Sequence, residues 1–144
     1  MIKRIGLLLV AGIVLASCGT ISASSAMSKW VSESSFPSTR LSILADAKHA
    51  VVALQRPTAT GLFLHTVCGV LLVDTEQANA SLPTPDDQAT NLLSKAYDDF
   101  GAGANLCYKA GTDASKRKEA VNALFQAATF YAEANVRIGV VKNP

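Results

Sequence analysis

Leu62-Phe63-Leu64-His65-Thr66-Val67-Cys68-Gly69-Val70-Leu71-Leu72-Val73 is the stretch on which the fold turns. It is apolar nearly all round, and such a run belongs either to a membrane span or to a helix that builds a core. A spanning helix needs about 20 apolar residues, and this run ends at Asp74. The stretch therefore reads as the middle of a buried core helix. Widened to residues 59–80, it sets Leu64, Val67, Cys68, Leu71, Thr75 and Ala78 on one face at three- and four-residue steps. That is the period of a helix and not the alternation of a strand.

The segments on either side repeat the pattern. Upstream, Leu41, Leu44, Ala47 or Lys48, Val51 and Leu54 predict a helix face. Pro37 precedes it, and Arg56-Pro57 stops it, because a residue before proline is biased away from the helical region. Downstream, Leu82-Pro83-Thr84-Pro85-Asp86-Asp87 is the clearest punctuation in the chain. Thr84 is suited to cap a helix, Pro85 to its first position, and the two carboxylates to its positive end. The third helix then carries Ala89, Leu92, Leu93, Ala96, Phe100, Ala104 and Cys107 on one stripe, and Gly111 terminates it. Thr112 or Asp113 starts a fourth, with Ala120, Val121, Leu124, Ala128, Tyr131 and Ile138 facing inward and Asn135 the polar exception. Residues 139–144 are expected to fray. Four amphipathic segments on short links predict an all-α, up-down-up-down four-helix bundle over residues 39–144.

Ahead of the bundle lies a different texture. Residues 19–38 hold eight serines, more than a packed helix invites, and read as a flexible tether over 18–38. Trp30, Val31 and Phe36 interrupt it. They are read either as loose packing on the domain or as an interfacial anchor or docking motif. Before the tether, Lys3-Arg4 is followed by residues 5–14, all apolar or glycine, and then by small residues, the pattern of an export signal. The alternative, an uncleaved N-terminal anchor, fits less well because Ala16 and Ser17 stand where processing requires small side chains.

Leu15-Ala16-Ser17-Cys18 resembles the lipobox of bacterial lipoproteins. The resemblance implies that residues 1–17 are removed and that Cys18 takes a diacylglyceryl group. The protein is then tied to the extracytoplasmic side of an envelope membrane. One acyl chain holds a protein only marginally, whereas two hold it stably, so the body needs no membrane patch of its own. Within the body, Val67-Cys68-Gly69-Val70-Leu71, Leu82-Pro83-Thr84-Pro85-Asp86 and Ala96-Tyr97 resemble small uncharacterised lipoproteins of actinobacteria. That likeness carries no activity to transfer.

Removal of the signal changes the charge balance. The chain has 13 Lys+Arg against 11 Asp+Glu, and the excess is Lys3 and Arg4. A neutral mature chain, whose basic run is limited to Lys116-Arg117-Lys118, excludes nucleic acid as the expected partner. That triplet reads as a solvated helix face. With Cys18 lipidated, Cys68 and Cys107 remain in a compartment where disulfides persist, and they are expected to pair. There is a register problem: on level helices the two sites stand about 15–20 Å apart in height. Either the connection after residue 79 staggers the helices or the third helix breaks at Gly101-Ala102-Gly103.

Candidate chemistry is sparse. His65 and Cys68, three apart, together with Cys107 and a carboxylate, make a weak zinc candidate. His49 has only Asp46 nearby in sequence. There is no Gly-x-Ser-x-Gly, phosphate-binding glycine loop, His-Glu-x-x-His or haem-attachment motif, so neither a cofactor nor a catalytic site is expected. Three roles remain: a membrane-tethered binding or envelope accessory protein, a carrier with a small apolar ligand between helices, or a metal-dependent enzyme built on His65. The carrier requires a cavity above roughly 300 Å3, lined by Leu64, Leu71, Phe100, Phe125 and Tyr131.

Overall fold

The computed structural model describes residues 22–144. The signal and Cys18 lie outside them. Five α-helices pack together and, among the described residues, no strand occurs: α1 (Ala23–Glu33), α2 (Phe36–Gln55), α3 (Gly61–Asn79), α4 (Asp87–Ala110) and α5 (Ala114–Lys142). The last four are the segments expected from periodicity. The first occupies most of the segment 18–38 expected as a tether, of which residues 18–21 lie outside the described residues.

The boundaries follow from local chemistry. The Thr60 side chain accepts from Phe63 N at the start of α3, and Asp113 accepts from Ser115 N and Lys116 N at the start of α5. At α4 the cap is Asp86, which accepts from Ala89 N, and not Thr84. Thr84 instead braces the preceding turn, bonding to Thr90 and receiving Asp86 N. Gly111, at φ +48, closes α4 in the left-handed region that side chains resist. Residues 139–142, expected to fray, continue α5.

Neighbouring helices run antiparallel, and their register is staggered. Cys68 and Cys107 are bonded with Cα atoms 5.9 Å apart, and a Cβ on Gly101 would meet Thr75 Cγ2 at 4.0 Å. Both contacts belong to one antiparallel register. The helix carrying Gly101-Ala102-Gly103 is unbroken, so the connection over residues 80–86 absorbs the mismatch. Asn79 lies 11 residues beyond Cys68, and Asp87 lies 20 before Cys107. At 1.5 Å per residue, α4 begins about 14 Å past the end of α3.

That overshoot leaves the first turns of α4 without α3 beside them, and at this end of the stack α1 packs on α5 and on α2. Met27 is fully buried, and Phe36 nearly so. The Trp30 indole donates to Ser81 O at 3.0 Å and its ring lies 5.0 Å from Phe36. Serine does not prevent this helix because none of its serines is buried: Ser22 caps the start, Ser25 and Ser32 are exposed, and Ser32 Oγ bonds back to Lys29 O. Burial of Met27, Trp30 and Val31 outweighs serine's modest helix propensity. Trp30 and Phe36 therefore dock on the domain and are not a free anchor.

Two helix faces differ from expectation. On α2 the buried residues are Phe36, Thr39, Ile43, Ala47, Ala50, Ala53 and Leu54, while Leu41 is 71% and Leu44 40% exposed. On α3 the expected face is buried, but Leu62, Val70 and Val73 reach solvent, so the opening stretch is buried on one side only. No described helix is long and apolar enough to cross a membrane.

Candidate functional site

The end of the stack that carries the α2–α3 loop and the α4–α5 turn is held by three contacts. Behind the disulfide, the His65 ring stacks on Tyr108 with centroids 4.1 Å apart and planes 6° from parallel. Cys68 and Cys107, bonded to each other, offer no thiolate to share with His65. Among the described residues, no three His, Cys, Asp or Glu side chains converge as a metal set. The zinc candidate on His65 gives way to an aromatic stack.

Arg117 is the third contact, and it corrects the reading of its triplet. Lys116 and Lys118 are exposed, but Arg117 is buried. Its Nε donates to Gly111 O at 2.7 Å, Nη1 to Leu54 O and Arg56 O at 3.3 and 2.7 Å, and Nη2 to Ala59 O at 2.9 Å. The first two α2 acceptors are carbonyls at a helix C-terminus, which lack intrahelical partners and carry the negative end of the dipole. One planar guanidinium thus closes α2, the loop that follows it and the end of α4.

The outer side of α2 presents the most apolar surface near a concavity. Leu44, Ala47, Lys48, Val51 and Val52 face Leu124, Phe125 and Ala128 of α5 across a groove of about 300 Å3, and Phe125 is 59% exposed. On the other flank, Asp46, His49, Val52 and Arg56 face Phe63, Thr66, Val67 and Val70 of α3 across about 310 Å3. Asp46 also meets Asp74 of α3. Burial, followed by the neighbouring carboxyl, holds the Asp46 carboxyl above the ordinary range.

The cavity expected for a carrier is not where the sequence placed it. Leu64, Leu71, Phe100 and Tyr131 are packed into the core, and Phe125 lies on the other side of its helix, in the α2–α5 groove. Around Tyr131 the packing is aromatic: Phe36, Tyr97 and Phe100 approach it with centroids 6.4, 6.0 and 5.9 Å away. The hydroxyls of Tyr97 and Tyr131 and the Asn135 Oδ1 are buried without a well-formed hydrogen bond among the described residues. Desolvation raises both phenols, Tyr97 to about 12.

At the opposite end of the stack, Asp86 combines its capping bond with a fork to Arg137, Nε to Oδ1 at 3.0 Å and Nη2 to Oδ2 at 2.7 Å. The Arg137 guanidinium, ahead of the backbone bonds, holds the Asp86 carboxyl below its usual range. Sequence reasoning saw Asp86 only as a helix start. Its partner is 51 residues away, and no local pattern marks it. Cys18, the expected lipidation site, lies outside the described residues. No family model matches the chain, and neither a curated protein nor a solved structure is detectably similar to it.

Proposed function

We propose that the protein is a lipid-anchored lipoprotein of the cell envelope whose helical body, on the extracytoplasmic side, binds an envelope protein. The observation that carries this reading is Leu15-Ala16-Ser17-Cys18 behind an apolar run. The bonded pair Cys68–Cys107 supports it, since such bonds persist in oxidising compartments and are rare in the cytosol. Within the body we read α2–α5 as an up-down-up-down bundle with α1 added to it. The binding role is supported by the outer face of α2, where Leu41, Leu44 and Val52 stand exposed while alanines occupy its inner face. Large apolar side chains turned outward are an interaction surface more often than a packing accident when they adjoin a groove.

A second reading, a carrier of a small apolar ligand, is favoured by the α2–α5 groove, whose lining is almost entirely hydrocarbon. Both readings are non-enzymatic, in keeping with a sequence without a nucleophile or metal motif and with the stacked His65.

Cys18→Ser tests the anchor. The expected result is loss of the lipid mass and accumulation of unprocessed precursor or released protein. Membrane partitioning that persists after signal cleavage would sink the reading. Photo-crosslinking from Leu44 and Phe125 in intact envelope, with extraction of lipids from the same sample, separates the two roles: a discrete protein adduct supports the binder, and a stoichiometric apolar molecule supports the carrier.

A further inference from the structure

We propose that the body stands directly on the lipid surface, with the N-terminus of α1 and the C-terminal turns of α5 facing the headgroups. The proposal rests on the lipid-anchor reading and adds an orientation and a contact surface to it. Four residue steps separate Cys18 from Ser22, the cap of α1. Fully extended they span at most about 14 Å. A free tether over residues 18–38 would have let the body wander. Instead α1 is pinned to the body from its first turn: Ser24 Oγ donates to Lys142 O at 2.6 Å, Met27 is fully buried, and Trp30 bonds to Ser81.

Because α1 runs antiparallel to α5, its N-terminus lies beside the last residues of α5. The lipid is therefore attached next to that tip. The tip is suited to a headgroup layer. Val136 and Val140, one turn apart, are 68% and 54% exposed; they line a shallow groove with Leu92, Glu133 and the Asp86-paired Arg137, and Lys142 ends the helix. Apolar side chains beside a cation are the usual composition of a surface that rests in the interfacial region. At 1.5 Å per residue, the 29 residues of α5 extend about 43 Å, so the α2–α3 loop and the α4–α5 turn are held well clear of the bilayer. Leu124 and Ala128, in the α2–α5 groove, sit about 20–27 Å above Lys142 along α5.

The lipidated protein in bicelles doped with a headgroup-nitroxide lipid provides the test. Amides of Ser24, Ala26, Val140 and Lys142 should lose most of their intensity, while those of Thr58, Gly61, Gly111 and Thr112 should keep theirs. Equal loss at both ends, or loss confined to the loop end, overturns the orientation. Mass spectrometry of the same sample keeps the two claims apart: a missing diacylglyceryl group on Cys18 removes the anchor reading, whereas a lipidated protein with uniform broadening removes only this proposal. Met27→Asp, which unseats α1, should weaken the effect at Val140 and Lys142 and red-shift Trp30 emission. If Trp30 shifts and the broadening stays, α1 is not what holds the body down, and the proposal fails.

Discussion

At the loop end of the stack, a covalent bond between Cys68 and Cys107 and a guanidinium closed on carbonyls from three segments hold α2, α3, α4 and α5 together. At the tip end, the same job falls to aromatic packing around Tyr131, the Asp86–Arg137 fork and the short helix α1. The contacts of the first end are directional and specific to single residues. Those of the second are spread over many side chains, and include three buried polar atoms unpaired among the described residues. At the disulfide α3 and α4 approach to 5.9 Å between Cα atoms, whereas the last turn of α3 lies level with Tyr97 and Phe100, where large rings set the packing.

Breaking the disulfide is the strongest attack on the first end. For a 39-residue separation, loss of the cross-link in Cys68→Ala/Cys107→Ala should cost about 4 kcal/mol, read as a lowered denaturant midpoint. A change below about 1 kcal/mol would place the fastening in the packing alone.

Arg117→Leu comes next. It removes the guanidinium from four carbonyls, of which Arg56 O keeps Ala59 N, and should cost about 2–4 kcal/mol, with Arg117→Lys recovering only part, because an ammonium cannot reproduce the planar fork. Hydrogen exchange would show the loss first at the end of α2 and in residues 56–60. Exchange rising equally at the tip would mean that the two ends are one cooperative unit.

The smallest effect is expected at the tip. Asp86 has a folded pKa below its ordinary value of 3.8, so its contribution is full above that value and disappears as pH falls through the lower folded one. Asp86→Asn should therefore lower stability at neutral pH by about 1 kcal/mol or less, and the gap to the parent should close as pH falls below the ordinary carboxylate range. A gap that persists in acid would assign the effect to the cap geometry and not to the charge.

These contrasts also mark what could be read in the chain. The buried faces of α3 and α4 were legible, because on each the apolar residues recur with one helical period and Pro85 and Gly111 bound the third segment. The inward face of α2 was not. Its apolar residues lie nearly all round, and size decided the outcome: Ala47, Ala50 and Ala53 let the helix approach its neighbours while Leu41 and Leu44 turned out. α1 was hidden by its serines, although Met27, Trp30 and Val31 at three- and four-residue steps carried the signal. Arg117 had none to give, since its partners are backbone carbonyls, which no sequence pattern distinguishes. The cysteine pairing followed from compartment and parity, but the stagger that permits it became visible only in the connection over residues 80–86.

The seating of α1 also defines how the molecule bears tension. A pull on a membrane anchor at Cys18 enters through Ser22, next to the tip of α5, and meets the contacts of α1: the Ser24–Lys142 hydrogen bond, Met27 and Trp30. With α1 lying along α5 and its N-terminus toward the anchor, the pull runs along the helix and loads these contacts in shear. Once α1 has come away, residues 22–35 extend from about 20 Å to about 48 Å, and the disulfide-braced remainder stays folded. On the proposed anchoring, α1 would act as a mechanical fuse, and an optical-trap record of the anchored protein would then show one early, reversible extension before the other helices unfold.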